Sequence, residues 1–467
     1  MRTEAVRSDP VAAAATKMRA AGQREQAIRQ FSGALGRVRD GERTLIRSSE
    51  LKPVPGVPRL EQLPDPGAGA DAGEALARLA VIRLNGGLAT SMGLTQPKSL
   101  LEARDGRSFL EIIAGQTLAL RRRHGVRLPL ILMDSEATCE PTLAALAAHP
   151  EIATPGLPLD FLQSMVPKLD ARSLLPARWP AAPQLEWCPP GHGDVYASMV
   201  GSGLLEALQG QGFRYVVIAN SDNLGATVDA RIVAHLARER IPFLMEVVRG
   251  TSADRKGGHL ACRVGDGRLI LRETAQTPPE DESSFRDYTR WRYYNTNSVW
   301  IDLEAIAERF EAAGGLELPV IVNRKTVDPR DPASTPVLQL ESAMGAAIGS
   351  FEGASLLEVP RSRFVPVKTT DDLLLLRSDA YRLGDDFCVE ATRPGAQPPY
   401  VALDQRYFGM IDGFEARMPS GPPSLREAEQ LVVNGDVSFG AGVVVRGKVS
   451  LDAPPGGLAI ADGTVLG

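Results

Sequence analysis

Short apolar runs alternate along this chain with longer stretches of helical period, and that alternation most narrows the choice of fold. Residues 79–84, 128–133, 215–218 and 243–248 are almost wholly apolar and of strand length. Helical patterns lie around 107–124, 194–208, 228–240 and 338–352. A strand that shows no polar alternation is buried on both faces, which happens when helices cover both sides of a largely parallel sheet. The expected class is α/β.

The two ends depart from this pattern. Near the start, Ser8 or Asp9 can cap a helix, Pro10 suits its first turn, and residues 11–39 are rich in Ala, Gln, Glu and Arg. The Pro- and Gly-rich stretch from Lys52 to about Gly73 predicts a surface connection. Near the end, Leu431, Val437, Val443 and Val449 recur every six residues, with Gly435 and Gly447 on the same period and Ala441 between them. That period suits a β-helix whose rungs each place one aliphatic side chain inside and a turn residue at a corner; an ordinary Gly/Val hairpin is the other reading.

Composition removes whole classes of function. With 467 residues, 43% hydrophobic and 23% charged, the chain has the make-up of an average globular protein. Its net charge of −5 offers no global basic field for nucleic acid or a membrane surface, so any phosphate binding must be local. Only eight of the 52 cations are lysines, so each lysine is worth inspecting. Cys139, Cys188, Cys262 and Cys388 are far apart, which suits a reduced, cytoplasmic setting. No stretch reaches the roughly 18 apolar residues of a membrane span.

Three segments carry chemistry. In Leu84-Asn-Gly-Gly-Leu and the residues up to Lys98, a buried strand runs into a glycine-bearing loop where backbone N–H groups can approach a phosphate or a base edge. A tight strand-to-helix connection would look the same. In Pro189-Pro-Gly-His-Gly-Asp, glycines flank His192 in a stiff loop, and Asp194 is placed to cap a helix from Val195; His192 reads as a ligand contact or as a core residue. In Asn220-Ser-Asp-Asn-Leu-Gly, a buried strand ends in a polar cluster, where Asp222 can hold Mg²⁺ beside a polyphosphate or simply form a turn.

Together with Pro97-Lys-Ser, Lys256-Gly-Gly, Glu273-Thr-Ala-Gln, Asn295-Thr-Asn, Gln339-Leu-Glu and Val359-Pro-Arg-Ser-Arg-Phe-Val-Pro-Val-Lys, these segments resemble the eukaryotic-type UDP-glucose pyrophosphorylase family from about Ala80 to Tyr381. The resemblance implies a nucleotidyltransferase domain, Rossmann-like and GT-A-like with a mixed sheet, and a C-terminal left-handed β-helix. The organisation it suggests is a helical segment and linker over 1–75, the catalytic domain over 76–385 and the β-helix over 386–467. It implies uridylyl transfer from UTP to glucose 1-phosphate. Carried over by position, Leu84, Asn85, Gly86, Gly87, Met133, Gln163 and Gly193 would surround the nucleotide. His192, Asn220, Gly258, Glu273, Asn295 and Asn297 would surround the sugar. Asp222 would hold Mg²⁺, with Lys98 and Lys368 as phosphate cations. The types make sense, because a Gln amide complements the imide edge of uracil and sugar hydroxyls need mixed donors and acceptors.

Some residues depart from the family pattern or leave a choice. Ala89 and Gln96 stand where the family usually has Gly, and Asp134 where it usually has Asn. Lys256 fits the motif but also a solvated turn, and Arg361 and Arg363 could order a phosphate loop or form surface ion pairs. A sister enzyme for N-acetylglucosamine 1-phosphate and a silent sugar-nucleotide-binding subunit are the competing readings. The β-helix could join copies of the chain into a homo-oligomer.

Overall fold

The computed structural model describes residues 9–66, 70–395 and 397–467. Ser8 and residues 67–69 of the expected connection lie outside the described residues. Ten strands form the central sheet: β1 Leu51–Pro53, β2 Leu79–Leu84, β3 Leu130–Asp134, β4 Asp160–Leu162, β5 Tyr215–Asn220, β6 Phe243–Arg249, β7 His259–Arg263, β8 Leu269–Arg272, β9 Tyr293–Asp302 and β10 Ser355–Glu358. Their order is β1-β7-β9-β5-β2-β3-β4, with β6 pairing both β9 and β10, and β8 pairing β7.

The sheet is mixed. β5, β2, β3 and β4 run parallel to one another, whereas β9 is antiparallel to β5, β6 and β7. The continuous apolar runs arise from burial on both faces. In β2, Val81 packs into one apolar cluster while Ala80 and Ile82 pack into the other, on the opposite side.

Helices cover both faces: α3 Phe109–His124, α4 Glu136–Leu146, α5 Val195–Gly201, α6 Leu204–Gly210, α7 Ala230–Glu239 and α8 Thr370–Arg377, preceded in the chain by α1 Pro10–Ala20 and α2 Glu25–Arg39. Ser108 and Glu111 close a reciprocal capping box at the start of α3. Asp9 caps α1 through a 3.2 Å bond from the Val11 N–H.

Four expectations are corrected. The N-terminal helix is two helices, separated by a turn in which Gly22 adopts φ +72°. Gly203, at φ +77°, likewise divides the helix expected over 194–208. The helix expected over 338–352 is a strand at Pro336–Glu341 followed by a tight 3₁₀ segment at Met344–Ser350. Val337, Leu338 and Leu340 are buried there, and the strand pairs with Ile321–Thr326. Finally, the 52–73 connection is not all surface: Leu51–Pro53 supplies the edge strand β1, and Leu60 and Leu63 enter the core.

The α1–α2 pair is bound by its own apolar cluster. Ala14, Met18, Ile28, Phe31 and Leu35 pack against Val166, Leu169, Leu338 and Leu340. Lys17 on α1 pairs with Glu186 of the main body. No helix among the described residues is long and apolar enough to cross a membrane.

The C-terminal strands are β11 Tyr400–Leu403, β12 Ser424–Asn434, β13 Val437–Phe439, β14 Val444–Asp452, β15 Leu458–Ile460 and β16 Val465–Leu466. They stack in parallel, β11-β12-β14-β16 on one side and β13-β15 on another. Parallel pairing rules out the hairpin. Leu431, Val437, Val443 and Val449 are all buried, Leu431 stands opposite Val449, and Gly435, just after β12, and Gly447, within β14, take positive φ. The six-residue period is therefore a packing period. A single apolar cluster runs from β2 and α3 into this stack.

Candidate active site

The parallel strands end in one row. Asn220 of β5 stands opposite Leu84 of β2, Leu84 opposite Met133 of β3, and Met133 opposite Phe161 of β4. The residues just beyond that row, Gly86, Gly87, Gln163 and Asp222, therefore rise from adjacent strand ends, where α/β proteins bind ligands. Gln163 lies against Gly86: a Cβ on Gly86 would come within 2.8 Å of the Gln163 amide oxygen. The glycine thus lets the amide lie over the loop backbone. The loop closes through a Leu88–Pro97 bridge and a 3.1 Å bond from the Lys98 N–H to the Gly87 carbonyl.

Closure of that loop brings Lys98 back to the strand ends, where its Nζ lies 2.7 Å from Asp222 Oδ2. Both side chains are mostly buried. The other oxygen, Asp222 Oδ1, is buried without a partner. An orphaned carboxylate oxygen beside a lysine fits a Mg²⁺ ion, which commonly takes one or two carboxylates and completes its shell with phosphates and water. Among the described residues, no cluster of three or more His, Cys, Asp or Glu could enclose a metal by itself.

Lys368 enters from a distant part of the chain. The Val367 N–H donates to the Asp222 carbonyl at 3.1 Å, and Asn223 bridges Pro366. The Lys368 and Thr369 N–H groups both donate to Asp372 Oδ2, at 2.7 and 3.0 Å, which fixes the start of α8. The Lys368 side chain stays exposed. Its charge reaches Glu273, whose carboxyl is pushed up by burial and drawn back down by Lys368.

The sugar-side candidates gather around β7, β8 and β9. His259 pairs with Arg272, which sets Gly258 beside Glu273, and a Cβ on Gly258 would lie 2.6 Å from the Glu273 carboxyl. The Asn295 N–H donates to the Gly258 carbonyl at 3.0 Å. Asn295 Nδ2 donates to Asn297 Oδ1 at 2.7 Å, and the Asn297 N–H donates back to Asn295 Oδ1 at 2.8 Å. Asn297 reaches that position with φ +54°. His192 accepts a 2.9 Å bond from the Met344 N–H on Nδ1, which leaves Nε2 to carry the proton as a donor. Burial pushes its pKa down to about 4, so the ring is neutral at pH 7.

The Asn85 side chain is buried and donates to Asp134 Oδ1 at 2.7 Å and Thr142 Oγ1 at 3.0 Å. Gly193 meets protein: its N–H donates to the Ser342 carbonyl at 2.9 Å, and a side chain there would strike Ser342 and Leu318. Asp194 does not cap the helix; it accepts from the Ser164 N–H at 2.7 Å and Ser198 Oγ at 2.6 Å. Arg361 pairs with Asp254, and Arg363 is buried against Glu246, 2.7 Å from Nε. Neither meets the Lys98–Asp222 pair.

The departures sit in telling places. Ala89 is buried and bonds through its N–H to the Gln96 carbonyl at 3.4 Å, so two of the unusual residues close the same loop. Asp134 is fully buried, accepts from Asn85 and Thr138, and has its carboxyl pushed up to about 6 by burial. Sequence reasoning missed Arg83. Buried in β2, it donates to the carbonyls of Asn220 at 3.3 Å and Ala226 at 2.6 Å, supporting the Asp222 loop from beneath. The available signal was a lone cation in an otherwise apolar strand, Leu79–Leu84.

A family model described as UTP–glucose-1-phosphate uridylyltransferase matches residues 30–446. The chain belongs to this family. Among uridylyltransferases of that name, the protein of Musa acuminata is 43% identical, the match covering 84% of this chain and 82% of the relative. That of Saccharomyces cerevisiae is 40% identical over 84% of this chain and 77% of its own length. A variant of the UDP-glucose pyrophosphorylase from Leishmania major, solved in complex with UDP-glucose, superimposes with a TM-score of 0.92 and 43% identity over 98% of both chains. The enzyme from Trypanosoma brucei gives a TM-score of 0.89 at 41% identity, again over 98% of both. Family membership accounts for the motif order that the sequence displayed.

Proposed function

We propose that this chain is a UTP–glucose-1-phosphate uridylyltransferase. The observation that carries the reading is the meeting of Lys98, Asp222 and the Val367 backbone that precedes Lys368 at the carboxyl ends of β2 and β5. A phosphate oxygen of glucose 1-phosphate attacks the α-phosphorus of UTP. The new P–O bond forms as the bond from that phosphorus to the bridging oxygen breaks, and pyrophosphate leaves with its electron pair. The attacking phosphate is already ionised, so no general base is needed. Bringing two polyanions together is the main barrier, and preorganised positive charge lowers it.

Lys98 serves the α-phosphate and the departing pyrophosphate. It is held by Asp222 until substrate replaces that partner. Lys368 serves the sugar phosphate from a backbone tied to Asp222. Asp222 is the residue that would hold Mg²⁺, which supplies charge neutralisation on the phosphates. Leu84, Asn85, Gly86, Gly87, Met133, Gln163 and Gly193 form the nucleotide side; His192, Asn220, Gly258, Glu273, Asn295 and Asn297 form the sugar side. Neutral His192 offers Nε2–H to a hydroxyl.

The same reading covers the architecture. The mixed sheet is a GT-A-like nucleotidyltransferase core over 76–385, the helical pair belongs to a segment over 1–75, and the parallel stack belongs to a left-handed β-helix over 386–467. Support for the β-helix comes from the buried six-residue period and the parallel registers. The four cysteines are free, which suits the cytoplasm. Homo-oligomers would form through the open edges of the stack, where Tyr400 and Val465 are exposed.

The test is turnover of UTP with a panel of sugar 1-phosphates, with and without Mg²⁺. UDP-glucose and pyrophosphate should form, with glucose 1-phosphate preferred and Mg²⁺ required. Preference for N-acetylglucosamine 1-phosphate, or no turnover with any sugar, would overturn the proposal.

A further inference from the structure

Asn223 follows the metal-side carboxylate, yet its side chain points away from Lys98 and is buried, with 1% exposed. Its Nδ2 donates to the Arg363 carbonyl at 3.1 Å. Its Oδ1 accepts from the Val365 N–H at 2.9 Å and from the Gly225 N–H of its own loop at 3.2 Å. One amide therefore grips both the outgoing and incoming backbone of the segment that leads to Lys368. The Asn223–Pro366 bridge and the Val367 to Asp222 bond continue the same seam. Gly225 lets the two backbones meet, since a Cβ there would lie 2.5 Å from the Ser362 carbonyl oxygen. Beneath the seam, Arg363 is locked by Glu246 and by a 2.7 Å bond to the Thr227 carbonyl.

We infer that Asn223 is a positioning residue that sets where Lys368 stands relative to Asp222 and Lys98, without touching substrate. The inference rests on the roles given to Lys368 and Asp222 under the proposed function. A lysine ammonium is a point charge on a flexible stem, so the placement of its backbone decides which phosphate it can reach. Misplacing a reacting or stabilising group by about 1 Å costs on the order of 100-fold in rate. Asn223 is suited to that task because its amide offers a donor and an acceptor together: Nδ2 holds the Arg363 carbonyl while Oδ1 holds the Val365 N–H and the Gly225 N–H, and a side chain with one function would leave one of these backbone groups unpaired.

The test is a double-mutant cycle on UDP-glucose formation with Asn223→Ala, Lys368→Ala and both together, with UTP affinity measured separately by calorimetry. Asn223→Ala should lower kcat by about 10- to 100-fold, while UTP affinity, which depends on the β2 loop, changes by less than about threefold. In the Lys368→Ala background, the further loss from Asn223→Ala should shrink to under about threefold, because the group it positions is gone. Full additivity, or an unchanged kcat in Asn223→Ala, would overturn the inference. Full turnover in Lys368→Ala alone would instead remove the role of Lys368 and the inference with it. If Asn223→Ala fails to fold, Asn223→Asp serves in the same cycle. Its carboxylate keeps the bond from the Val365 N–H and loses the donor to the Arg363 carbonyl, so the same shrinking of its effect in the Lys368→Ala background is expected, and full additivity would count against positioning.

Discussion

The two halves of the proposed site are built by different means. On the nucleotide side, Leu84 and Met133 stand in one row, with Asn220 of the sugar side next to Leu84, because three parallel strands are hydrogen-bonded in register. The backbone ladder does the positioning, and the glycines beyond it leave room for a ligand. On the sugar side, placement depends on contacts between side chains: Asn295 with Asn297, His192 with the Met344 N–H, and Glu273 pressed against Gly258. Asn295 and Asn297 satisfy each other in the free protein and would exchange partners when hydroxyls arrive. Such an exchange is nearly neutral in energy, so it favours a ligand with matching donors and acceptors over one that lacks them.

The contrast can be broken most severely where the halves meet. Lys98→Ala removes the cation beside Asp222. It should lower kcat by about 100- to 1000-fold, as expected for a preorganised charge-stabilising group, and steady-state turnover at saturating UTP will measure it. A loss under about tenfold would separate Lys98 from the chemistry.

Gly258→Ala addresses the sugar half alone. The new methyl would collide with the Glu273 carboxyl at 2.6 Å, so KM for glucose 1-phosphate should rise by about 10- to 100-fold, given roughly 1.4 kcal/mol per tenfold. UTP affinity should stay within about twofold. An equal loss for both substrates would mean that the halves are not independent.

The smallest change lies beneath the nucleotide half. The folded Asp134 carboxyl has its pKa raised to about 6 from an ordinary 3.8, so between those values the native state holds a proton that the unfolded chain has lost. Stability therefore falls as pH rises from about 4 to 6 and stays reduced above that window. Asp134→Asn, which supplies the residue usual in the family, keeps the buried hydrogen bonds without the charge. It should stabilise the protein by on the order of 2 kcal/mol at pH 8, with little gain near pH 4. Denaturant melts at both pH values will check this, and an equal gain at each would assign the effect to something other than ionisation.

Legibility from sequence followed the same division. The strand row was readable because burial on both faces writes itself as continuous apolar runs, and β2, β5 and β6 lie where those runs predicted. The Pro336–Glu341 strand was read as helix because its short alternation runs on into the apolar Met344–Ser350 segment. β1 gave no signal, since Leu51–Pro53 is a strand only through its pairing with β7. Arg83 was missed, and the buried partners of the Asn85 side chain were not foreseen, for a related reason: a motif identifies the residue and leaves open which way its side chain faces.

By itself, then, the sequence determined the α/β class, the family and the six-residue period at the C-terminus, and it singled out Lys98, Asp222 and Lys368 for the proposed site. These are local properties of pattern and spacing. Only the tertiary structure decided that Lys98 meets Asp222, that Asn223 ties Lys368 to the same loop, and that Arg83 supports it from below. Each of those contacts joins segments more than a hundred residues apart. Strand order and register bring them together, and no stretch of sequence read alone contains either.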